Sequence, residues 1–395
     1  MTITVIGLDG GPLPPAAAEA LAGAEVIAGG RRHLAIAPAG AEQIVLGPVE
    51  PALGKLAGRR AVVLASGDPG FFGIVRLLRE HGHEPVVLPA VSSVQAMFAR
   101  LGRSWDDVAV VSAHGRDLRR AVNVCRARAA TAVLTGPGAG PAEIGAALHG
   151  WPRTLVVAEQ LGAAGERLTT VDASAAGRDW DPLSVVLCLR APAFGPLAVP
   201  PRGWCAGGEP LPPAGGWALP DDAFEHRGGM VTKAEVRAVV LARLAPRPGT
   251  LVWDVGAGSG SVGVECARLG SAVLAVERRP DDTARIAANA AAHDVEVRVV
   301  EGVAPGALVG LPTPDAVFVG GGGLDVLAAA AAAGAERVVV SLAALDRIGQ
   351  ARTLLVEAGY EVDGVQLAAS RFAPLPGGAV RLAATNPITI LWGTR

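Results

Sequence analysis

The sequence predicts an α/β protein of two domains, each built on a mostly parallel sheet with helices on its faces. The chain has 395 residues, of which 50% are hydrophobic and 18% charged, so packed cores can form and global disorder is excluded. At about 100 to 200 residues per domain, this length indicates two or three domains. A proline- and glycine-rich stretch over residues 191–220 divides the chain into two nearly equal parts. On both sides of it, β-branched runs alternate with helix-like stretches, which is typical of α/β units.

The first part contains short β-branched runs that predict strands, with helix-like stretches between most of them. The predicted strands are residues 2–7, 61–65, 85–88, 108–112, 131–135, 154–158 and 184–189. One helix has clear limits, because Ser92 can cap its N-terminus, apolar residues follow at helical spacing, and Gly102 can end it. This part therefore predicts a succession of βα units.

The second part predicts a doubly wound sheet. Its predicted strands are residues 250–255, 272–277, 296–300, 315–319, 337–341, 361–367 and 389–392. In such sheets, ligands bind beyond the carboxyl ends of the strands. We therefore expect the functional residues in the loops that follow the strands.

Composition argues against several classes of protein. A net charge of -2 gives no electrostatic sign of the basic face that nucleic-acid binding needs, although it is compatible with a compact basic patch, and aromatic residues at 4% provide few side chains for base stacking. The cysteines are far apart, at positions 125, 188, 205 and 266, so neither a disulfide scaffold nor a zinc site is expected. No apolar run reaches the length of a membrane span, and the chain begins with a strand rather than a signal peptide. We expect a cytoplasmic protein without bound metal, nucleic-acid partner or membrane contact.

Residues 251–263 run from an apolar strand through a glycine-rich turn into a helix. Glycines allow the backbone to approach a ligand, and the helix N-terminus offers free amides. Glu277, at the end of the next strand, is where an acid contacts ribose hydroxyls. The turn also satisfies the dinucleotide fingerprint, but the Asp254 carboxylate could face the cationic part of S-adenosylmethionine (SAM). The alternative is that Asp254 caps the following turn.

Three segments of the second part together resemble a known family. They are residues 220–224, residues 229–237 with the pattern Thr-Lys-x-Glu-Val-Arg, and the loop 254–260. The combination resembles the class I, SAM-dependent domain that methylates C15 of a precorrin and decarboxylates it in cobalamin biosynthesis. The resemblance implies SAM contacts from Thr232, Asp254, Gly256, Ala257, Gly258, Ser259, Gly260 and Glu277, with backbone near Val303 and Ala304. The family usually has aspartate where Val303 stands, so only backbone contacts are expected there.

Four glycines at 320–323 follow the strand 315–319. Their missing side chains would leave room for a flat macrocycle beside the methyl donor, and the alternative is a flexible turn. Both interpretations can hold together.

The first part is similar to the tetrapyrrole methylase family, in its C5-methylating precorrin branch. The similarity is carried by residues 5–11, 65–73, 89–96, 112–116 and 158–162. It implies two α/β subdomains with SAM between them, and the loop 7–11 facing the substrate. The implied SAM contacts are Ser66, Gly67, Asp68, Phe71, Ser92 and Ser93, with backbone near Leu134 and Glu159. His114 is a candidate base, although a packed or capping role is the favoured interpretation.

The two resemblances imply one fused enzyme. A tetrapyrrole methylase domain at 1–192 would methylate C5, and a domain at 220–395, after a linker at 193–219, would methylate C15 and remove the C12 acetate carboxyl to give precorrin-8. Each domain would bind one SAM without a metal, and a homo-oligomer is expected. Arg116, Lys233 and Arg237 are candidate partners for substrate carboxylates. No catalytic side chain is assigned, because aligning the macrocycle carbon with the methyl group can supply much of the rate.

Three alternatives stay open on the residues alone. A class I methyltransferase acting on RNA or another small molecule would explain the second part only. A nicotinamide enzyme would explain the glycine loop and Glu277 but leaves Asp254 without a role. A SAM-binding protein without activity would keep both pockets and lose turnover.

Overall fold

The structure is a computed structural model that describes residues 3–46, 50–191, 205–208, 211, 213 and 215–395. The chain divides into two compact units. Unit 1 comprises residues 1–116, 132–146 and 153–202, and unit 2 comprises residues 117–131, 147–152 and 203–395. Most of the predicted linker at 193–219 lies outside the described residues. The domain limits at 192 and 220 therefore stay a prediction.

The first half of the chain alternates strands and helices. In chain order these elements are β1 (Ile3–Leu8), α1 (Pro15–Ala22), β2 (Val26–Gly29), β3 (Glu42–Val45), α2 (Glu50–Leu56), β4 (Ala61–Ser66), α3 (Ile74–Glu80), β5 (Val86–Leu88), α4 (Ser93–Leu101), β6 (Ala109–Ser112), α5 (Leu118–Ala127), β7 (Ala130–Leu134), α6 (Pro141–Ala147), β8 (Arg153–Glu159), β9 (Arg167–Asp172) and β10 (Ser184–Arg190).

These strands form two five-stranded sheets. The first has the order β3-β2-β4-β1-β5, and its neighbouring strands are parallel. Its central strands β1 and β4 are rich in valine and isoleucine and are buried almost throughout, as expected for a parallel sheet covered on both faces. The second has the order β6-β7-β10-β8-β9, with β8 antiparallel to both of its neighbours.

Helix α4 begins and ends where the sequence predicts. The Ser92 hydroxyl accepts a hydrogen bond from the Gln95 amide, and the Gln95 side chain accepts one from the Ser92 amide. Gly102 ends the helix with a φ of 60°, a left-handed conformation that glycine adopts without steric cost. This reciprocal capping fixes the start of α4, where the predicted site residues Ser92 and Ser93 lie.

Three strands of the first half were missed by the sequence analysis. Strands β2 and β3 are only four residues long, and β3 is polar and largely exposed at the edge of its sheet. Strand β9 is the edge strand of the second sheet and carries Thr169 and Thr170 where the other strands carry aliphatic residues. Short or polar edge strands leave little apolar periodicity to detect.

The elements after residue 220 form a doubly wound arrangement. In chain order these elements are α7 (Ala234–Leu244), β11 (Leu251–Val255), α8 (Ser261–Arg268), β12 (Ala272–Glu277), α9 (Pro280–Ala292), β13 (Arg298–Glu301), β14 (Ala316–Val319), α10 (Leu324–Ala332), β15 (Arg337–Leu342), α11 (Ile348–Glu357), β16 (Glu361–Leu367), β17 (Ser370–Pro374), β18 (Val380–Ala384) and β19 (Ile388–Thr394).

The main sheet of unit 2 has the order β13-β12-β11-β14-β15-β19-β16. Strands β11 to β15 are parallel, and β19 runs antiparallel between β15 and β16. The strand order reverses between β11 and β14, which is the switch point where ligands bind in such sheets. The α/β prediction is therefore confirmed. The separate hairpin β17–β18 was missed, because residues 370–384 contain no sustained apolar alternation.

In the part of the chain that the structure describes, every helix is too short or too polar to cross a membrane.

A fully buried ion pair joins helices α7 and α8. The Arg237 guanidinium donates to Glu265 over 2.6 Å, and both side chains are completely inaccessible to solvent. Glu265 also accepts hydrogen bonds from the backbone amides of Ala218 and Leu219, and Arg237 also donates to the backbone carbonyls of Leu219 and Thr232. The ion pair thus fixes the segment 218–219 to helices α7 and α8.

We expect Glu265→Gln to destabilise unit 2 by about 3 to 5 kcal/mol, because Arg237 would keep its charge in a buried position without a charged partner. Urea denaturation measures this loss. The matched control is Glu357→Gln on an exposed position of α11, which should change stability by less than about 0.5 kcal/mol. If the two variants are equally stable, the Arg237–Glu265 ion pair does not contribute to the stability of unit 2.

Candidate functional site

Unit 1 contains a cavity of about 800 Å³ beyond the carboxyl ends of β1 and β4. Its wall is formed by the loops 8–13 and 65–73, by the start of α4, and by residues 158, 160–163 and 182–185. The arrangement follows from the parallel sheet, whose strands deliver their loops to the same edge.

Glycine is required where these loops meet. A Cβ atom on Gly7 would lie 2.2 Å from the carbonyl oxygen of Gly67. A Cβ atom on Gly10 would lie 2.1 Å from the carbonyl oxygen of Gly162. The loops can therefore line one cavity only because these positions carry no side chain.

Most of the SAM contacts predicted for the first half line this cavity. The lining includes Ser66, Gly67, Asp68, Phe71, Ser92, Ser93 and Leu134. Asp68 shapes its own loop, because its carboxylate accepts a hydrogen bond from the Gly70 amide. The structure thus brings together residues that lie up to 68 positions apart in sequence.

The sequence predicts a contact from the backbone near Glu159, and the structure places the Glu159 side chain away from the cavity. Its neighbours Ala158 and Gln160 line the cavity, but the Glu159 carboxylate is buried on the other side and accepts hydrogen bonds from the Arg167 side chain and the Asp181 amide. The Arg167 hydrogen bonds lower the pKa of Glu159. Its side chain is therefore structural, because alternate residues of a strand point to opposite faces.

The expectation that Arg116 contacts the substrate is also corrected. Arg116 is exposed and does not line the cavity, and its guanidinium lies 5.2 Å from the ring centroid of Phe72. Phe72 does line the cavity, so Arg116 supports the wall from outside. His114 lines the cavity, and its Nδ1 atom donates to the carbonyl of Thr135 over 3.2 Å, in agreement with a capping role.

The sequence analysis missed several cavity residues of unit 1, among them two polar ones that follow β2. Arg32 and His33 follow β2, itself undetected, and both line the cavity. The pair of glycines directly before two arginines and a histidine, at 29–33, was the available sequence signal.

Unit 2 contains a second cavity, of about 970 Å³, at the switch point of its sheet. The loops after β11, β12, β13 and β14 form most of its wall, with residues 230–233 and 384–388 on the other sides. A Cβ atom on Gly256 would lie 2.9 Å from the Gly321 amide nitrogen, so here too two loops meet backbone to backbone.

The Glu277 carboxylate organises the first of these loops. It accepts a hydrogen bond of 3.0 Å from the Gly258 amide, and its second oxygen accepts from the amides of Arg278 and Arg279. The first oxygen, Oε2, retains one acceptor position, whereas both positions of Oε1 are used, and the carboxylate reaches the cavity. This geometry leaves one acceptor for a ligand hydroxyl group.

Most of the SAM contacts predicted for the second half line the unit 2 cavity. They are Thr232, Gly256, Ala257, Gly258, Ser259, Glu277, Val303 and Ala304. Gly260 does not line it, and a Cβ atom there would lie 2.9 Å from the Ile286 side chain. Gly260 is therefore needed for packing at the start of α8, not for ligand contact.

The expectation that Asp254 faces the cationic part of SAM is contradicted by its position. The side chain is buried below the loop and does not line the cavity, and it accepts a hydrogen bond of 2.8 Å from the Gly263 amide in α8. Burial raises its pKa to about 7, with a smaller contribution from the charge of Glu277. The capping alternative describes Asp254, which therefore does not distinguish SAM from a dinucleotide.

Of the two cationic residues predicted to bind substrate in this half, one reaches the cavity. Lys233 lines it, with its ammonium 3.4 Å from Asp221 and 3.2 Å from the Gly229 carbonyl oxygen. Arg237 is fully buried in its ion pair with Glu265 and cannot contact a ligand. The position of Arg237 on its helix does not predict this burial. The side chain is enclosed by Glu265 and by the segment 218–219, which is distant from it in sequence.

Among the described residues, no group of three or more histidine, cysteine, aspartate or glutamate side chains could hold a metal ion.

We expect unit 2 to lose stability as the pH rises from about 4 to 8, and Asp254→Asn to reduce that loss. The folded-state pKa of about 7 exceeds the ordinary value of 3.8, so the folded chain binds more protons than the unfolded chain between these values. The effect amounts to at most about 4 kcal/mol. Urea denaturation at pH 5 and pH 8 tests it, with the exposed Asp346→Asn as control. An unchanged pH dependence in Asp254→Asn would contradict it.

Comparison with known proteins assigns a family to each half of the chain. Residues 5–176 match the tetrapyrrole (corrin/porphyrin) methylases, and residues 222–394 match the precorrin methyltransferase domain.

Similar proteins include enzymes with both halves and enzymes with one. A precorrin-6Y C(5,15)-methyltransferase (decarboxylating) from Sinorhizobium sp is 40% identical over 82% of this chain and 79% of its own length. A cobalt-precorrin-7 C(5)-methyltransferase from Salmonella typhimurium is 37% identical over 47% of this chain and 98% of its own. A probable cobalt-precorrin-6B C(15)-methyltransferase (decarboxylating) from Pyrobaculum calidifontis is 38% identical over 44% of this chain and 93% of its own.

These matches confirm both resemblances and exclude the nicotinamide alternative. The chain belongs to the family of precorrin-6Y C5,15-methyltransferases (decarboxylating).

Proposed function

We propose that this chain is a bifunctional SAM-dependent C-methyltransferase of cobalamin biosynthesis. Unit 1 methylates C5 of a precorrin, and unit 2 methylates C15 and removes the C12 acetate carboxyl, so that the product is precorrin-8. The observation that carries the proposal is the presence of one glycine-walled cavity in each unit, within the two segments that match the two methyltransferase families.

The residues of the unit 2 cavity suit SAM. Glu277 Oε2 has an acceptor position left for a ribose hydroxyl, while the bonds to backbone amides hold the loop 256–259 in place. Gly302, Val303 and Ala304 offer backbone and small side chains as a wall for an adenine ring. Gly258 faces open space where a Cβ atom would project, so the loop can approach a ligand closely.

The residues of the unit 1 cavity provide a comparable binding site. Ser92 and Ser93 stand at the N-terminus of α4, where the amides of Ser93 and Val94, which the capping bonds do not use, favour polar ligand groups. Phe71 and Leu134 add apolar surface, and Gly67 allows the chain after β4 to turn with a φ of 60°. We therefore assign one SAM to each unit.

SAM, when bound, supplies an electrophilic methyl group, and the reduced macrocycle supplies a carbon nucleophile. The residues of each cavity would then align the two partners and exclude water. No side-chain nucleophile is required. In unit 2 the backbone of Gly320, Gly321 and Gly322 forms part of the wall without side chains, which leaves room for a flat macrocycle.

Cationic side chains in the unit 2 cavity would hold the substrate's carboxylates. These side chains are Arg227, Lys233, Arg278 and Arg279. Guanidinium groups bind carboxylates by paired hydrogen bonds, which would fix the orientation of the macrocycle as well as its affinity.

We also infer a cytoplasmic location and a homo-oligomer. The cysteines at 125, 188, 205 and 266 are far apart in sequence and form no disulfide scaffold pattern, as in proteins of a reducing compartment. The β17–β18 hairpin exposes Phe372, Val380 and Leu382, an apolar surface that a second copy would cover.

The decisive experiment is mass spectrometry of the products after the full-length chain is incubated with SAM and precorrin-6B. Two methyl gains with one loss of CO2 support the proposal. Binding of SAM without any mass change of the precorrin would favour a SAM-binding protein without activity, or a different methyl acceptor.

We expect Gly258→Ala to abolish C15 methylation and decarboxylation while C5 methylation is retained. Its Cβ atom would project into the cavity at a φ of 56°. The matched control is Gly310→Ala, whose φ is 77° and whose Cβ atom would also meet open space, but outside the cavity. Both variants should lose roughly 1 kcal/mol of stability from the left-handed conformation. Loss of C5 methylation in Gly258→Ala, assayed on a C15-methylated, decarboxylated precorrin, would contradict separate sites.

Gly67→Ala should have the opposite effect and abolish C5 methylation alone. A Cβ atom at this position would lie 3.0 Å from Ser92 Cα and push the segment 91–93 out of place. The control is Gly82→Ala, with a φ of 80° and no atom near its Cβ. Product masses from precorrin-6B should then show one methyl gain and one loss of CO2. If the Gly67→Ala product still gains a second methyl group, the unit 1 cavity is not the site of C5 methylation.

A further inference from the structure

Arg32 is distinguished by its position in the unit 1 cavity. Of the described residues that line this cavity, Arg32 is the only lysine or arginine. The other titratable groups on the wall are Asp9, Asp68, His33 and His114. A substrate with many carboxylates therefore meets a single strong cation here, whereas the unit 2 cavity offers four.

A short chain of hydrogen bonds holds the Arg32 guanidinium at the cavity wall. Arg32 Nη2 donates to Ser66 Oγ over 2.7 Å, and Ser66 Oγ lies 3.3 Å from His33 Nε2. Burial and the charge of Arg32 both lower the pKa of His33, so the imidazole is neutral at neutral pH. In the tautomer with an unprotonated Nε2, the imidazole accepts a hydrogen bond from the Ser66 hydroxyl, and the oxygen lone pairs then stay free to accept from Arg32.

The charge of Arg32 is not compensated by an ion pair with any described carboxylate. Asp181 is close enough for the Arg32 charge to contribute to lowering its pKa. The Asp181 oxygens, however, accept hydrogen bonds from the Leu183 amide and the Gln160 side chain. Other arginines of unit 1, such as Arg103 and Arg167, are paired with carboxylates. Arg32 thus keeps most of its donors available.

We propose that Arg32 binds a side-chain carboxylate of the macrocyclic substrate in unit 1, with Ser66 and His33 as positioning residues. This inference rests on the proposed C5 methylation and adds the group that orients the macrocycle for it. One of the five N–H donors of Arg32 is used by Ser66, and the remaining donors suffice for a two-pronged bond to a carboxylate. Because the carboxylate is present before and during methyl transfer, the bond should contribute to binding rather than to the chemical step.

The test uses the full-length chain, SAM and a C15-methylated, decarboxylated precorrin that lacks the C5 methyl group. Arg32→Met should raise KM for C5 methylation by roughly 10- to 100-fold with little change in kcat, as expected when a charged hydrogen bond is lost from binding. Equilibrium titration of the same precorrin without SAM, followed by its absorbance, should show an equal loss of affinity. Arg32→Lys should be intermediate, because lysine keeps the charge but not the paired geometry.

Arg31→Met is the matched control. Arg31 is adjacent in sequence and exposed, but it does not line the cavity. Its KM should stay within about twofold of the wild-type value, since exposed positions away from the site tolerate substitution. If KM rises equally in both variants, the effect comes from the loss of surface charge in general and not from a specific bond of Arg32. That result would overturn the proposal.

The positioning role is tested at Ser66. Because Ser66 is also an expected SAM contact, its variants are compared by precorrin titration without SAM. Ser66→Ala should weaken precorrin binding in the same direction as Arg32→Met, and Ser66→Thr, which keeps the hydroxyl, should restore it. In this titration the double variant with Arg32→Met should bind precorrin no more weakly than Arg32→Met alone, because both changes remove the same interaction with the precorrin. His33→Gln, which keeps a neutral hydrogen-bonding group, should be milder than His33→Ala.

The outcomes separate this inference from the proposed function. If the wild-type chain methylates the precorrin and Arg32→Met does so with unchanged KM and affinity, the role of Arg32 is disproved while C5 methylation stands. If the wild-type chain transfers no methyl group to any precorrin but Arg32→Met still weakens precorrin binding, the assigned reaction fails and the carboxylate contact stands.

Discussion

The structure depends on backbone segments that approach each other, at the carboxyl ends of the central strands, more closely than any side chain allows. In unit 1 the constraint applies between Gly7 and Gly67 and between Gly10 and Gly162, and in unit 2 between Gly256 and Gly321. Parallel strands direct their loops to one edge, and the missing side chains allow the loops to meet there. Both cavities exist because of this constraint, although the two units have different sheet orders.

Buried carboxylates then hold the loops in place. Glu277 and Asp254 accept hydrogen bonds from backbone amides around the glycine loop of unit 2, and Glu265 does the same for the segment before α7. These bonds provide partners for backbone amides that would otherwise be buried without one. A buried amide without a hydrogen-bond partner costs considerable free energy. An acidic residue in a ligand-binding motif can therefore bind backbone amides instead of the ligand. Asp254 and Glu159 accept hydrogen bonds from amides and lie outside the cavities, whereas Glu277 binds amides and also lines its cavity.

The two cavities differ in how they can recognise an acidic macrocycle. Among the described wall residues, unit 2 has four cationic side chains and unit 1 has Arg32 as its single arginine or lysine. A single cation fixes one carboxylate and lets the remaining contacts be made by glycine loops and apolar residues, so orientation would depend strongly on its placement. The neutral His33 and the Ser66 hydroxyl supply that placement without adding charge.

The sequence by itself determined the fold class, the location of most strands, the capped helix α4 and the loops that line both cavities, because glycine turns and apolar runs are local signals. It also determined the family, since motifs such as that at 229–237 and the loop 254–260 are specific in combination. The tertiary structure alone decided which polar residues reach a ligand. Arg237 and Glu159 are buried in ion pairs, and Arg116 lies outside the cavity wall. Arg32 lines the wall from the turn after β2, a strand too short to detect from the sequence. The direction and partner of a side chain depend on segments distant in sequence, which local patterns do not record.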